Sequence, residues 1–191
     1  MRMDAQGMVM HENTDRLPHG CVRIAEDIEF TIQAGSLYAA DRPGSVFGMS
    51  QHDIRVPACS RVTVTFVNED AVRHQWMVHG LPNYLYPMGM FHIEASGGQT
   101  VRGTFIVPAE DQTYLVHCDM SQHMEKGMRA QLVVGNGSGN LWGVPGVSDW
   151  FYRDDYFPDR APILALVSAL AGLLLTLLLL TKNGREKQPH A

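Results

Sequence analysis

An all-β sandwich followed by one C-terminal transmembrane helix is the fold class that this sequence predicts. Three observations carry it. Between Cys21 and Gly135 the chain breaks into short runs rich in β-branched residues, turn-forming residues separate those runs, and one long apolar stretch lies near the end.

The strands read, in order, as EFTIQAG (29–35), HDIRVPA (52–58), RVTVTFVN (61–68), HQWMVHG (74–80), TVRGTFIVP (100–108), TYLVHC (113–118) and RAQLVVG (129–135). Alternation is clearest in the third. There Val62, Val64 and Phe66 oppose Arg61, Thr63 and Thr65, because successive side chains on a pleated strand point to opposite faces. Pro43-Gly44, Asn68-Glu69-Asp70, Ser96-Gly97-Gly98 and Pro108 supply turns. No helical period of useful length precedes the apolar stretch. So many short strands in one span predict a Greek-key β-sandwich over residues 25–135.

Residues 161–181, APILALVSALAGLLLTLLLLT, carry no charge and are long enough to cross the roughly 30 Å core of a bilayer as a helix. A buried soluble helix would show a polar face, and this run has none. Before it, Trp150, Phe151, Tyr152, Tyr156 and Phe157 suit an interfacial aromatic belt. After it, Lys182, Arg185 and Lys187 put the tail 182–191 in the cytoplasm by the positive-inside rule. The sandwich is then expected outside the inner membrane, in the periplasm. Residues 136–160, opening NGSGNLWGVPGVSD, read as a linker and interfacial segment. Residues 1–24 read as a disordered segment whose Met1, Met3, Met8, Met10, His11 and His19 are either loose metal donors or chance occurrences in a tail. This segment has no apolar signal core, so export is expected to rest on a signal already removed, an earlier start, or the anchor itself.

Composition narrows the chemistry. A net charge of −5 argues against nucleic acid, because binding phosphates needs a basic surface. Eleven Met and nine His are unusual, and both types cluster, which points toward a soft metal. Three cysteines are present. If Cys118 is committed to metal, Cys21 and Cys59 are left either as a disulfide, suited to an oxidising compartment, or as two unlinked thiols. Spacing alone does not decide between them.

The stretch HCDMSQHMEKGM (117–128) sets Cys118, His123 and Met128 five residues apart. Thiolate, imidazole and thioether are donors that copper prefers, and two histidines with one cysteine and a distant methionine make a blue-copper site. The second imidazole is expected from His74, which opens the strand HQWMVHG and can lie beside the strand ending at Cys118.

With those residues assembled, VTFVNED…RHQWMVHG followed by YLVHCDMSQHMEKGM resembles the cupredoxin family over roughly residues 25–135. The resemblance implies a type 1 copper held by His74, Cys118, His123 and Met128. The flanking residues add to it. His79, five after His74, and His117, directly before Cys118, are similar to the placements in copper nitrite reductases and multicopper oxidases, where those histidines bind catalytic copper. Strand parity lets Met77, His79, His117 and Asp119 share the face opposite Cys118, so His79, His117 and Asp119 form a candidate second metal site.

Departures from those enzymes are equally informative. The multicopper oxidase motif H-C-H ends here in Asp119, and Met77 replaces another of its copper ligands. A trinuclear cluster also draws histidines from two domains, so oxygen reduction is not expected. Nitrite chemistry would need an oligomer to supply a missing ligand. Met88, Met90 and His92 in YPMGMFH, with Met120 and Met124 in the ligand loop, read either as a Cu(I) patch or as adaptable packing. The combination resembles the small periplasmic copper-tolerance cupredoxins, which implies copper handling with one-electron transfer as the available chemistry. The implied partners are copper ions, the inner membrane, a redox partner or copper exporter, and further copies of the chain. The alternatives are a dedicated electron carrier for a respiratory complex and a nitrite-reductase-like copper oxidoreductase.

Overall fold

A computed structural model describes residues 2–42, 44–141 and 161–186. The chain divides into two units, Met1–Phe151 and Tyr152–Ala191. In the first unit the described strands are β1 (Arg2–Met3), β2 (Gly7–Met10), β3 (Asp27–Gly35), β4 (Gly48–Met49), β5 (Asp53–Val56), β6 (Arg61–Asn68), β7 (His74–His79), β8 (Met90–Ala95), β9 (Thr100–Ile106), β10 (Gln112–His117) and β11 (Arg129–Val134). They form a seven-stranded sheet, ordered β1-β2-β8-β7-β10-β11-β5, and a four-stranded sheet, ordered β4-β3-β6-β9.

The two sheets pack through the apolar halves of alternating strands. Val62, Val64 and Phe66 of β6 and Phe105 of β9 meet Trp76 and Val78 of β7, Phe91 and Ile93 of β8, Val116 of β10 and Leu132 of β11 in one buried core. Trp76 sits at its centre, with ring centroids 6.2 Å from Phe30, 6.3 Å from Phe91 and 6.1 Å from Phe105. Burying each large apolar side chain contributes about 1.5–3 kcal/mol, so a core this continuous holds the end of β7 and the end of β10 in fixed relation. The site depends on that relation.

Each of the seven strands read from the sequence is present, and four more are added. Of the added strands, β8 matters most. Its pattern is legible afterwards: Phe91 and Ile93 face the core, while Met90, His92 and Glu94 lie on the other face. The segment 1–24, expected to be disordered, instead supplies β1 and β2, and β2 pairs antiparallel with β8 from Gly7↔Ala95 to Met10↔His92. Beyond β2 the chain is pinned. The Asn13 backbone N–H donates to Thr104 O at 2.9 Å, and Asn13 Nδ2 donates to the Tyr86 hydroxyl at 3.0 Å. That buried hydroxyl in turn donates to Ile106 O at 2.7 Å. Cys21 and Cys59 are joined as a disulfide with their Cα atoms 5.6 Å apart, which resolves the choice that spacing left open.

The expected linker starts later than residue 136. Ser138 and Gly139 are tied to Thr113, and the Leu141 N–H donates to Gln131 Oε1 at 3.0 Å. Residues 142–160, including the aromatic-belt positions 150–157, lie outside the described residues. In the second unit, α1 (Ala161–Glu186) runs five residues past the expected boundary at 181, and Lys187 lies outside the described residues. Within α1, Pro162–Leu180 is long and apolar enough to cross a membrane.

Candidate metal centre

Strand register brings the predicted donors together. β7 and β10 are antiparallel neighbours, paired as Leu115↔His79, Val116↔Val78 and His117↔Met77. The start of β7, with His74, therefore meets the end of β10, where Cys118 follows. On the other side, β10 and β11 pair as far as His117↔Arg129, and Cys118 with Met128 makes the next rung, Cys118 N–H donating to Met128 O at 3.1 Å. The intervening loop folds back on itself, with the His123 N–H donating to Met120 O and the Met128 N–H to His123 O.

Gly127 makes that loop possible. Its φ of 105° lies where L side chains are strained, and a Cβ there would sit 2.4 Å from Ser45 Oγ. The neighbouring Lys126 carbonyl accepts N–H groups from Val46 at 2.7 Å and Phe47 at 3.2 Å. Those bonds hold the Phe47 ring over the site, 5.0 Å from the His74 ring and 4.4 Å from the His123 ring.

His74 Nδ1 and His123 Nδ1 are 3.1 Å apart, and Cys118 Sγ is 3.4 Å from His123 Nδ1. One ligand atom from each of the three residues lies within 4.8 Å of the others. His74, Cys118 and Met128 are fully buried, while His123 is partly exposed at the rim. Cys118 Sγ accepts the Gln75 backbone N–H at 3.3 Å, a bond that favours a thiolate. Burial nevertheless pushes its thiol up to about 11, so without a cation the sulfur stays protonated. Burial, aided by the neighbouring His74 charge, lowers His123. Asp70 accepts a hydrogen bond from His74 Nε2 at 2.8 Å and others from the Ser36 N–H and hydroxyl. Burial works to raise the Asp70 carboxyl, but those hydrogen bonds outweigh it and hold the group below its ordinary value.

This donor set fits copper. Two imidazole nitrogens face a buried thiol with no carboxylate among them, and a buried methionine closes the loop; hard cations want oxygen ligands instead. A bound copper ion would supply one-electron redox chemistry at this position. The chain's own contribution is rigidity: two sheet rungs, the Asp70 bond and the Phe47 ring fix the donors before any metal arrives.

The other predicted residues are arranged differently. The His79 and His117 rings stack with centroids 4.8 Å apart and planes 19° from parallel. Asp119 does not join them in a compact group. Among the described residues, His74, Cys118 and His123 are the only three His, Cys, Asp or Glu residues whose ligand atoms lie within 4.8 Å of one another. Of Met88, Met90 and His92, Met88 is 75% exposed in a turn at φ 60°, Met90 opens β8, and His92 is buried in β8. Sequence reasoning missed Asp70, Phe47 and Gln75. For Asp70 the one usable signal was its place four residues before His74.

Residues 23–138 match the family model described as multicopper oxidase. No curated protein matches the chain. Among solved structures, auracyanin A, a blue copper protein from the green thermophilic photosynthetic bacterium Chloroflexus aurantiacus, is 23% identical. The match covers 57% of this chain and 99% of that one, with a TM-score of 0.44. Auracyanin B is 18% identical over 69% of this chain and 99% of its own, TM-score 0.46. A multi-copper oxidase from Pseudomonas thermotolerans is 16% identical over 60% of this chain and 31% of its own, TM-score 0.44. With more than half of its length matched by the family model, on a two-sheet β-framework that gathers copper-type donors, the chain belongs to the multicopper oxidase family.

Proposed function

We propose that this chain is a membrane-anchored type 1 copper protein of the periplasm, with copper held by His74, Cys118, His123 and Met128, and that it handles copper in copper tolerance. The observation that carries the reading is the convergence of His74 Nδ1, Cys118 Sγ and His123 Nδ1 within 4.8 Å at a buried rung of the sandwich. Cys118 dominates the electronics, the two imidazoles complete a trigonal set, and Met128 is the weak axial donor that tunes potential. The apolar helix supports an anchor, and the basic residues after it support an orientation with the copper domain outside the inner membrane. Methionine and histidine beyond the four ligands support copper tolerance over simple electron carriage.

The test is the visible and paramagnetic-resonance spectrum of the copper-loaded protein. An intense thiolate-to-copper band that disappears in Cys118→Ser supports the reading, and a colourless copper-supplemented protein sinks it. A dedicated electron carrier for a respiratory complex would take up one copper per chain even in excess Cu(I). The stacked His79–His117 pair favours one further reading, a nitrite-reductase-like copper oxidoreductase whose second copper takes a ligand from another subunit. Nitrite turnover that is lost in His117→Ala while the Cys118 band survives would support it.

A further inference from the structure

Every second residue of β2, β8, β7 and β10 faces the core: Val9, then Phe91 and Ile93, then Trp76 and Val78, then Val116. The intervening residues form the outer face of the seven-stranded sheet, and one row of them is chemically uniform. Met10 pairs with His92, His92 with Met77, and Met77 with His117, in direct register across the four strands. Residues directly opposite on adjacent antiparallel strands hold their Cβ atoms about 4.5–5.5 Å apart, so neighbouring side chains along the row are within reach of a shared ion.

We propose that Met77, His92 and His117, with Met10 at the margin of the row, form a binding site for Cu(I) separate from the His74–Cys118–His123 group.

Burial and unmet hydrogen bonding both point to a ligand. Outer-face residues of an antiparallel sheet are commonly solvated, yet Met77 is 3% exposed, His92 5% and His117 7%. His92 Nε2 is buried with no hydrogen-bond partner, and His117 Nδ1 is buried with none beyond the Cys118 backbone. Such atoms are rare in folded proteins and call for a partner. The nearest acid does not serve, because Glu94 Oε2 stands 3.9 Å from His92 Nε2 and its carboxylate is already held by Arg73 at 2.5 Å and Gln75 at 2.8 Å. The His79 ring stacks against His117 and backs it from the side.

Donor chemistry selects the ion. Two imidazoles and one or two thioethers, with no free carboxylate in the row, exclude magnesium and calcium. Among the described residues no third His, Cys, Asp or Glu atom gathers with His92 and His117 within 4.8 Å, so the nitrogen- and oxygen-rich shell that suits Cu(II) is lacking. Soft thioether with imidazole is a set for Cu(I). The placement also matters: His117 is covalently joined to Cys118, and the two side chains leave opposite faces of one strand end. This inference rests on the copper-handling reading and gives it a second place of binding.

The test titrates the full-length chain in detergent with Cu(I), under reducing conditions, against a chromophoric Cu(I) chelator. Two Cu(I) per wild-type chain are expected, falling to one in Met77→Leu/His92→Gln, while that variant on oxidation keeps the wild-type visible band. Met88→Leu should leave the count at two. A wild-type count of one, or a double variant still at two, overturns the proposal. Should the double variant fail to fold, X-ray absorption of the wild type decides: thioether sulfur around the second equivalent supports the site, and a sulfur-free shell overturns it. Failure of the type 1 reading is distinguishable, since the wild type would then lack the visible band at every copper load.

Discussion

His74 Nε2 donates a 2.8 Å hydrogen bond to Asp70 Oδ2, and this bond fixes which nitrogen of the ring faces Cys118. Asp70 is held in its turn by the Ser36 N–H and hydroxyl, so the carboxylate cannot swing away freely. A carboxylate behind a metal-binding imidazole orients it and raises its basicity, and losing such a partner typically costs about 10–100-fold in metal affinity. Asp70→Asn keeps the shape and removes the charge. Its Cu(II) affinity should fall roughly tenfold, and its reduction potential should rise because the oxidised ion loses more stabilisation than the reduced one. Spectroelectrochemistry beside a Cu(II) competition titration checks both, and an unchanged potential would remove Asp70 from the centre's electronics.

Copper uptake should release a proton throughout the neutral range. Burial holds the Cys118 thiol at about 11, so the metal-free sulfur is protonated at every pH below that, and binding must expel the proton. His123 is lowered by burial and is neutral at neutral pH, so it adds no further proton there. Apparent affinity should therefore climb about tenfold per pH unit between roughly pH 7 and 9. Competition titrations across that window measure the slope, and a flat profile would mean the thiolate is already formed in the metal-free protein.

What could be read from the chain beforehand divides by locality. Cys118, His123 and Met128 fall in one loop, so their spacing carries the motif without any knowledge of pairing. His74 required one strand contact, β7 against β10, of the kind that neighbouring strands of a sandwich readily make. The row Met10–His92–Met77–His117 was not readable, because it needs the register of four strands at once, and a slip of one residue would send its side chains into the core. Strand parity reached part of it through Met77, His79 and His117, while Met88, Met90 and His92 were grouped as neighbours in sequence. Residues 1–24 looked disordered because four-residue strands earn their stability from the sheet edge they join, here β8, and not from their own composition.

The Cys21–Cys59 disulfide closes a separation of 38 residues, tying the segment before β3 to the turn before β6. Loop-closure entropy assigns such a crosslink about 4 kcal/mol through restriction of the unfolded chain. Cys21→Ser/Cys59→Ser should lose an amount of that order in urea unfolding, with the visible copper band preserved because neither cysteine belongs to the ligand group. Loss of the band together with stability would mean that the bridge positions the donors as well.

His52 offers a pH effect at a residue outside the proposed ligand set. It precedes β5, and its ring Nδ1 is 2.8 Å from Arg129 O. Burial, then the Arg42 charge, lowers it to about 4, and the bond to the Arg129 carbonyl offsets only part of this. In the unfolded chain the same imidazole titrates near 6.5. Between those values the unfolded state binds a proton that the folded state refuses, so the contribution is fully present above about pH 6.5 and is lost as pH falls toward 4. The difference corresponds to about 3 kcal/mol. His52→Gln cannot titrate, so its stability should decline less than that of the wild type by an amount of this order between pH 6.5 and 4. Urea unfolding followed by tryptophan fluorescence at several pH values measures the difference, and parallel profiles for the two proteins would show that His52 accepts its proton in the folded state as readily as in water.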